Sequence, residues 1–252
     1  MKEMPVFSAA DDLKLRWRGK PPKVNPPQTV ILCYQPSLMD YARRSFIVRR
    51  VKDFFGELCL VRIGGEKVGV AGNFGLGSPA AVIMVEELVA FGVKRFISLG
   101  LAGSIQPQAQ AGEWLVVNRA ARDEGVSRHY LPEGRWAEAD GEITAFLQNN
   151  LVASGRVIRS GAAWTTDTPF REMPTEIEAW QNEGVCAVDM ETAALFSVGQ
   201  ALGVQVAAAL VLADQVLPTG WVPPSNPRTV QLSLRGMLDA VAGSLIREAR
   251  AR

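Results

Sequence analysis

Residues 204–213 are apolar at every position except Gln205, and this run constrains the fold more than any other stretch. A strand with one wet face alternates apolar and polar side chains. This one leaves no face for water, so it belongs in a sheet covered by helices on both sides. At ten residues it is too short to cross a bilayer, which takes about 20 apolar residues. Further short apolar runs at 29–34, 96–103, 113–119 and 156–164 alternate with helix-spaced segments at 78–91, 142–153, 189–202 and 228–252. That alternation predicts a single α/β domain. Residues 1–27 are polar and end in KPPKVNPP, which predicts an extended N-terminal arm before a domain spanning 28–252.

Composition narrows the function classes. The chain of 252 residues carries 27 basic and 26 acidic residues for a net charge of +1, so no overall field draws it to nucleic acid or a membrane, and an anion must be held locally. The first twenty residues lack an apolar signal core, which predicts a cytoplasmic protein. Cys33, Cys59 and Cys186 are isolated from one another and His129 is the single histidine, so the expectation is neither a disulfide framework nor a metal site, with the cysteines as small buried hydrophobes. As a lone histidine, His129 reads as structural rather than catalytic.

The segment 185–203, VCAVDMETAALFSVGQALG, concentrates the chemistry. Asp189 is the expected N-cap of a helix ended by Gly203, with Glu191 in its first turn, where the helix dipole and free N–H groups favour an ionised carboxylate suited to a vicinal diol. Upstream, GNFGLGSPAAVIMVEELVAFG predicts a helix capped by Ser78, with Pro79 at its first position and Gly92 past its end. Its glycines serve either a ligand approaching the backbone or a plain strand-to-helix turn. Gly64 and Gly65, between two apolar runs, predict a hairpin.

The heptapeptide VDMETAA resembles the ribose-binding signature of the nucleoside phosphorylase superfamily, the uridine and hexameric purine nucleoside phosphorylases with their nucleosidase relatives. Further pieces follow in the family's order from about residue 28 to 216. The resemblance implies a mixed central β-sheet flanked by helices, cleavage of an N-glycosidic bond, no cofactor, a homo-oligomer (dimer or hexamer), and a nucleoside as substrate. It implies that Glu191 holds the sugar hydroxyls, that Met190 packs on sugar and base, and that Asp189 stands where many relatives have glutamate. The loop TTDTPFRE resembles the family's base-side loop, which makes Phe170 a candidate for stacking on the base, or else a plug of the core, and Arg171 a base contact. Asp214, closing the 204–213 run, matches the acid that protonates the leaving base in purine-type members, so the expectation is a purine. Ala102 and Gly103, at the glycine-bearing end of the 96–103 run, are assigned to substrate binding.

Phosphate is where the sequence departs from the family. Relatives grip it with a glycine and an arginine after the first strand and an arginine and a hydroxyl at the later glycine turn; here those places are Tyr34, Leu38, Ser98 and Leu101. A family histidine near the N-terminus is also absent, its stretch reading Pro5, Val6, Phe7, Ser8. Phosphate is therefore a doubtful partner unless Arg43, Arg44, Arg49 or Arg50 replaces the missing grip. The alternatives are hydrolysis, although residues 29–38 lack the glutamate that hydrolytic relatives carry there, or a nucleoside-binding protein without turnover.

Overall fold

The computed structural model describes residues 5–63 and 66–251. Along the chain run α1 (Ala9–Arg16), β1 (Thr29–Cys33), α2 (Pro36–Ser45), β2 (Val48–Val51), β3 (Glu57–Ile63), β4 (Glu66–Gly72) and α3 (Ser78–Phe91). There follow β5 (Arg95–Ser104), β6 (Trp114–Asp123), β7 (Trp136–Glu138), α4 (Gly141–Val152), β8 (Ile158–Thr166) and α5 (Pro174–Asn182). The last elements are β9 (Val185–Asp189), α6 (Thr192–Leu202), β10 (Gln205–Leu217), β11 (Gly220–Val222) and α7 (Pro227–Ala251).

The strands form one mixed sheet in the order β11-β10-β6-β8-β9-β5-β1-β4-β3-β2, with β7 on β6. β5 pairs with β10 as well as with β1 and β9, so the circuit β5-β10-β6-β8-β9 closes on itself. Central strands have no wet face: Thr29–Cys33 is buried throughout, and the apolar stretch of β10 runs buried from Val206 to Leu212. Helices cover both sides, as such strands require. α3 and α6 pack on one face around Val85, Leu88, Leu195 and Phe196. α2, α4 and α7 pack on the other around Met39, Leu147, Leu234 and Leu238.

Several local expectations change. The stretch before Thr29 is not all extended: Ser8 caps α1, Leu13 is buried, and Trp17 packs edge-on against Phe54 and Phe91. Apolar side chains among the polar ones bring this segment into the core. Gly77 rather than Ser78 is the N-cap of α3, which ends at Gly92 in the left-handed conformation. β3 and β4 pair antiparallel, while Gly64 and Gly65 lie outside the described residues. Asp189 ends a strand, β9, instead of capping a helix directly, and α6 starts at Thr192 with Glu191 as its N-cap. β10 does not stop at Asp214 but continues to Leu217, with a register shift against β5 between Leu212 and Asp214. Such a bulge re-aims the side chains beyond it. Cys33 and Cys59 are buried, but Cys186 is only partly so.

Candidate active site

The far ends of β1, β5, β9 and β10 open into a cleft of about 780 Å³, the place where ligands bind in open α/β sheets. One wall is the turn into α3. Gly77 has a positive φ of 87°, which glycine adopts without a side-chain penalty, and its N–H donates to Glu191 Oε1 at 2.6 Å. Ser78 Oγ, freed from capping, donates to the Met190 carbonyl at 2.7 Å. The glycine-rich turn therefore holds the residues opposite it, a use between the two that its sequence left open.

Asp189 and Glu191 divide the work at the floor. Asp189 Oδ1 accepts from Thr165 Oγ1 at 2.6 Å, and its Oδ2 accepts from the N–H of Thr192 at 2.9 Å and from the Thr192 hydroxyl. Thr165 Oγ1 in turn accepts from the Ala193 N–H at 2.9 Å. The Asp189 carboxylate is thus committed to fixing the start of α6, with little capacity left for a ligand. Glu191 lines the cleft and is 8% exposed. Burial, and then the adjacent Asp189, push its pKa up to about 8, which reverses the expectation of an ionised group at a helix start. Burial raises Asp189 as well, while the donors from Thr165 and Thr192 act in the opposite direction by favouring its charged form.

The end of the cleft away from Glu191 is built from the β8–α5 loop and the β10–β11 hairpin. Phe170 lines the cleft mouth and is 96% exposed, so it does not plug the core. Arg171 is exposed outside the lining residues, its backbone N–H donating to Thr168 O at 2.8 Å; the loop turns the next residue inward instead. That residue, Glu172, escaped the sequence reading. Burial and the neighbouring Asp214 raise its pKa to about 7. Its only sequence signal was a carboxyl two places beyond the loop aromatic. Asp214 Oδ2 accepts from Trp221 Nε1 at 2.7 Å, a contact made by a hairpin that the sequence did not disclose. Ala102 and Gly103 line the same end. At Gly103 a Cβ would come within 2.8 Å of Val216 and 3.1 Å of Asp214 Oδ1, so only glycine lets β5 approach β10 there.

The residues expected from the resemblance to stand at the family's phosphate grip are placed as follows. Tyr34 is buried, its hydroxyl bonded to Ser98 Oγ at 2.9 Å and its ring edge-on to Phe74 at 5.4 Å. Leu38 lies in the core with Met39 and Ala42, and Leu101 lines the cleft. Arg43 is engaged by Glu57 and Asp40, and Arg50 approaches Glu57 at 3.8 Å. Arg44, Arg49 and Arg50 are exposed, and none of the four arginines lines the cleft. Among the described residues the lining has four carboxylates, Glu172, Asp189, Glu191 and Asp214, and no lysine, arginine or histidine. His129 is exposed on a 3-10 turn away from the cleft.

The family model described as "Phosphorylase superfamily" matches residues 36–231. The DeoD-type purine nucleoside phosphorylase of Geobacillus kaustophilus is 30% identical over 185 residues, covering 73% of this chain and 76% of that protein. The uridine phosphorylase of Haemophilus influenzae is 31% identical over 157 residues, covering 57% of this chain and 62% of its own length. The uridine phosphorylase structure from Vibrio fischeri ES114, complexed with 6-hydroxy-1-naphthoic acid, superimposes with a TM-score of 0.76 at 26% identity over 89% of this chain and 92% of that one. Purine and pyrimidine enzymes thus stand at similar distances.

Proposed function

We propose that this chain, which belongs to the phosphorylase superfamily, cleaves the N-glycosidic bond of a nucleoside in this cleft with phosphate held weakly or not at all. The observation that carries the reading is the anchored Glu191: a buried carboxyl fixed by the Gly77 N–H beside Met190, at the floor of a cleft large enough for a nucleoside. Glu191 takes the sugar hydroxyls and Met190 packs on the sugar. In bond cleavage the sugar becomes cation-like while electron density moves to the base, so negative charge near the sugar and a proton donor near the base both favour the transition state.

Phe170 stacks on the base from the mouth. Glu172, with a pKa of about 7, holds a proton at neutral pH often enough to share it with Asp214 and the leaving nitrogen. This keeps Asp214 at the base and adds Glu172 as its partner, with a purine as the expected base.

The lining without a basic side chain favours a second reading for the nucleophile, in which water takes the place of phosphate. Arg49 or Arg50 from a second copy of the chain is the remaining route to a phosphate grip, and the chain is then a homo-oligomer. Incubating the protein with purine and pyrimidine nucleosides, with and without phosphate, and separating the products distinguishes these readings. Free sugar in both conditions indicates hydrolysis, sugar phosphate only with phosphate indicates a grip rebuilt elsewhere, and intact nucleosides throughout defeat the cleavage reading.

A further inference from the structure

We infer that the preferred substrates are N-ribosides whose aglycone already carries a positive charge, such as pyridinium ribosides or N-alkylated purine ribosides. This inference rests on the cleavage reading and goes on to name the substrate class.

The chain has nearly equal numbers of basic and acidic residues, 27 and 26, yet the lining residues of the cleft include four carboxylates and no basic group. The imbalance is therefore local to the site. It is also divided: Asp189 is consumed by Thr165 and Thr192 at the sugar end, whereas Glu172 and Asp214 face the cleft at the base end. Among the hydrogen bonds of the described residues, Trp221 Nε1 is the donor to Asp214 and no Arg or Lys pairs with it or with Glu172. Burial first, and then the neighbouring Asp214 with no counter-charge beside it, raise the Glu172 pKa. A cationic ring between them supplies that counter-charge.

The aromatic groups fit the same ligand. Trp221 and Phe170 stand at the mouth, 64% and 96% exposed, and the bond to Asp214 holds the indole at the carboxylate. An aromatic face attracts a cationic ring more than a neutral one of the same size.

The chemistry follows from the charge. The C1′–N bond breaks and its electron pair passes to the ring nitrogen, so the aglycone leaves neutral and needs no proton. A water oxygen bonds to C1′, and the proton it loses passes to a cleft carboxylate and then to solvent.

The test compares nicotinamide riboside, a pyridinium cation, with its neutral 1,4-dihydro form, by calorimetry on the unmodified protein in phosphate-free buffer at about pH 8, above the pKa of Glu172. The cation is expected to bind about tenfold more tightly or better, with the difference shrinking as salt is added and in the Glu172→Gln/Asp214→Asn double variant. Equal affinity, or preference for the neutral form, overturns the inference. If guanosine or uridine is cleaved while no charge preference is found, the inference falls and the cleavage reading stands. Preferential binding of the cation without cleavage of any riboside upholds the charge selectivity and defeats cleavage. Failure to bind any of these ribosides overturns both.

Discussion

Gly77 and Glu191, 114 positions apart in sequence, are joined by a 2.6 Å hydrogen bond from the glycine N–H to the glutamate carboxylate. The bond ties the turn into α3 to the start of α6, the two helices that cover the same face of the sheet, and so fixes the floor of the cleft from both sides.

Gly77→Ala tests that tie. A Cβ there meets no close neighbour, the nearest atom being Met190 Cε at 3.9 Å, so the cost arises from the φ of 87° rather than from a clash. We expect a loss of roughly 1 to 3 kcal/mol in stability, measured by urea unfolding, together with weaker nucleoside binding as the N–H turns away. Unchanged stability and binding would mean that the turn adapts freely.

Glu191→Gln keeps the shape of the side chain and removes a carboxyl that is charged only above its pKa of about 8, so parent and variant are compared at about pH 9. A hydrogen bond to a charged group contributes about 1.5 to 3 kcal/mol, so nucleoside affinity should fall roughly ten- to a hundredfold. Calorimetry showing unaltered affinity would remove Glu191 from the sugar site.

The raised carboxyls also set a pH dependence. Glu191 and Glu172 have folded pKa values of about 8 and about 7, above the ordinary 4.5, so between those values the folded state binds more protons than the unfolded chain. Their unfavourable burial is absent below about pH 4.5 and grows as pH rises, and stability should decline from about pH 5 toward pH 8 on their account. Glu191→Gln should flatten the upper part of that decline, and thermal unfolding across this range, parent against variant, measures it. A decline identical in both proteins would place the proton elsewhere.

At the proposed base end, Asp214→Asn should slow cleavage of neutral purine nucleosides by about a hundredfold, the lower end of the range for general acid catalysis. Trp221→Phe, which removes the donor to Asp214 while keeping an aromatic ring, should have the smaller effect. Steady-state rates on purine nucleosides decide the assignment, and an Asp214→Asn protein as active as the parent contradicts it.

How much of this was legible depended on whether the signal was periodic. The buried run of β10, the left-handed Gly92 and the apolar stripe of α7, with Leu234, Leu238, Val241 and Leu245 all buried, follow patterns that single residues impose locally. β9 was missed because its five residues read equally well as the entry to a helix, and the choice was made by pairing with β5 and β8. The raised pKa of Glu191 could not be read because local rules charge a carboxylate at a helix start, while burial beside Asp189 is a tertiary fact. Glu172 and Trp221 carry no periodic mark; a loop turn and a hairpin after a bulge bring them to Asp214. The expectation that Tyr34, Leu38, Ser98 and Leu101 stand where relatives grip phosphate came from the resemblance, whereas the absence of Arg43, Arg44, Arg49 and Arg50 from the cleft lining required the fold.

Centrally, we propose that phosphate is held weakly or not at all in this cleft. Losing two charge-assisted contacts at about 1.5 to 3 kcal/mol each would weaken binding by a hundredfold to more than ten-thousandfold. Calorimetric titration of phosphate into the protein in a non-phosphate buffer, beside cleavage rates at rising phosphate, measures it directly. The account predicts millimolar binding or weaker and rates that do not saturate at low phosphate. Micromolar binding, or phosphorolysis saturating at low phosphate, would contradict it.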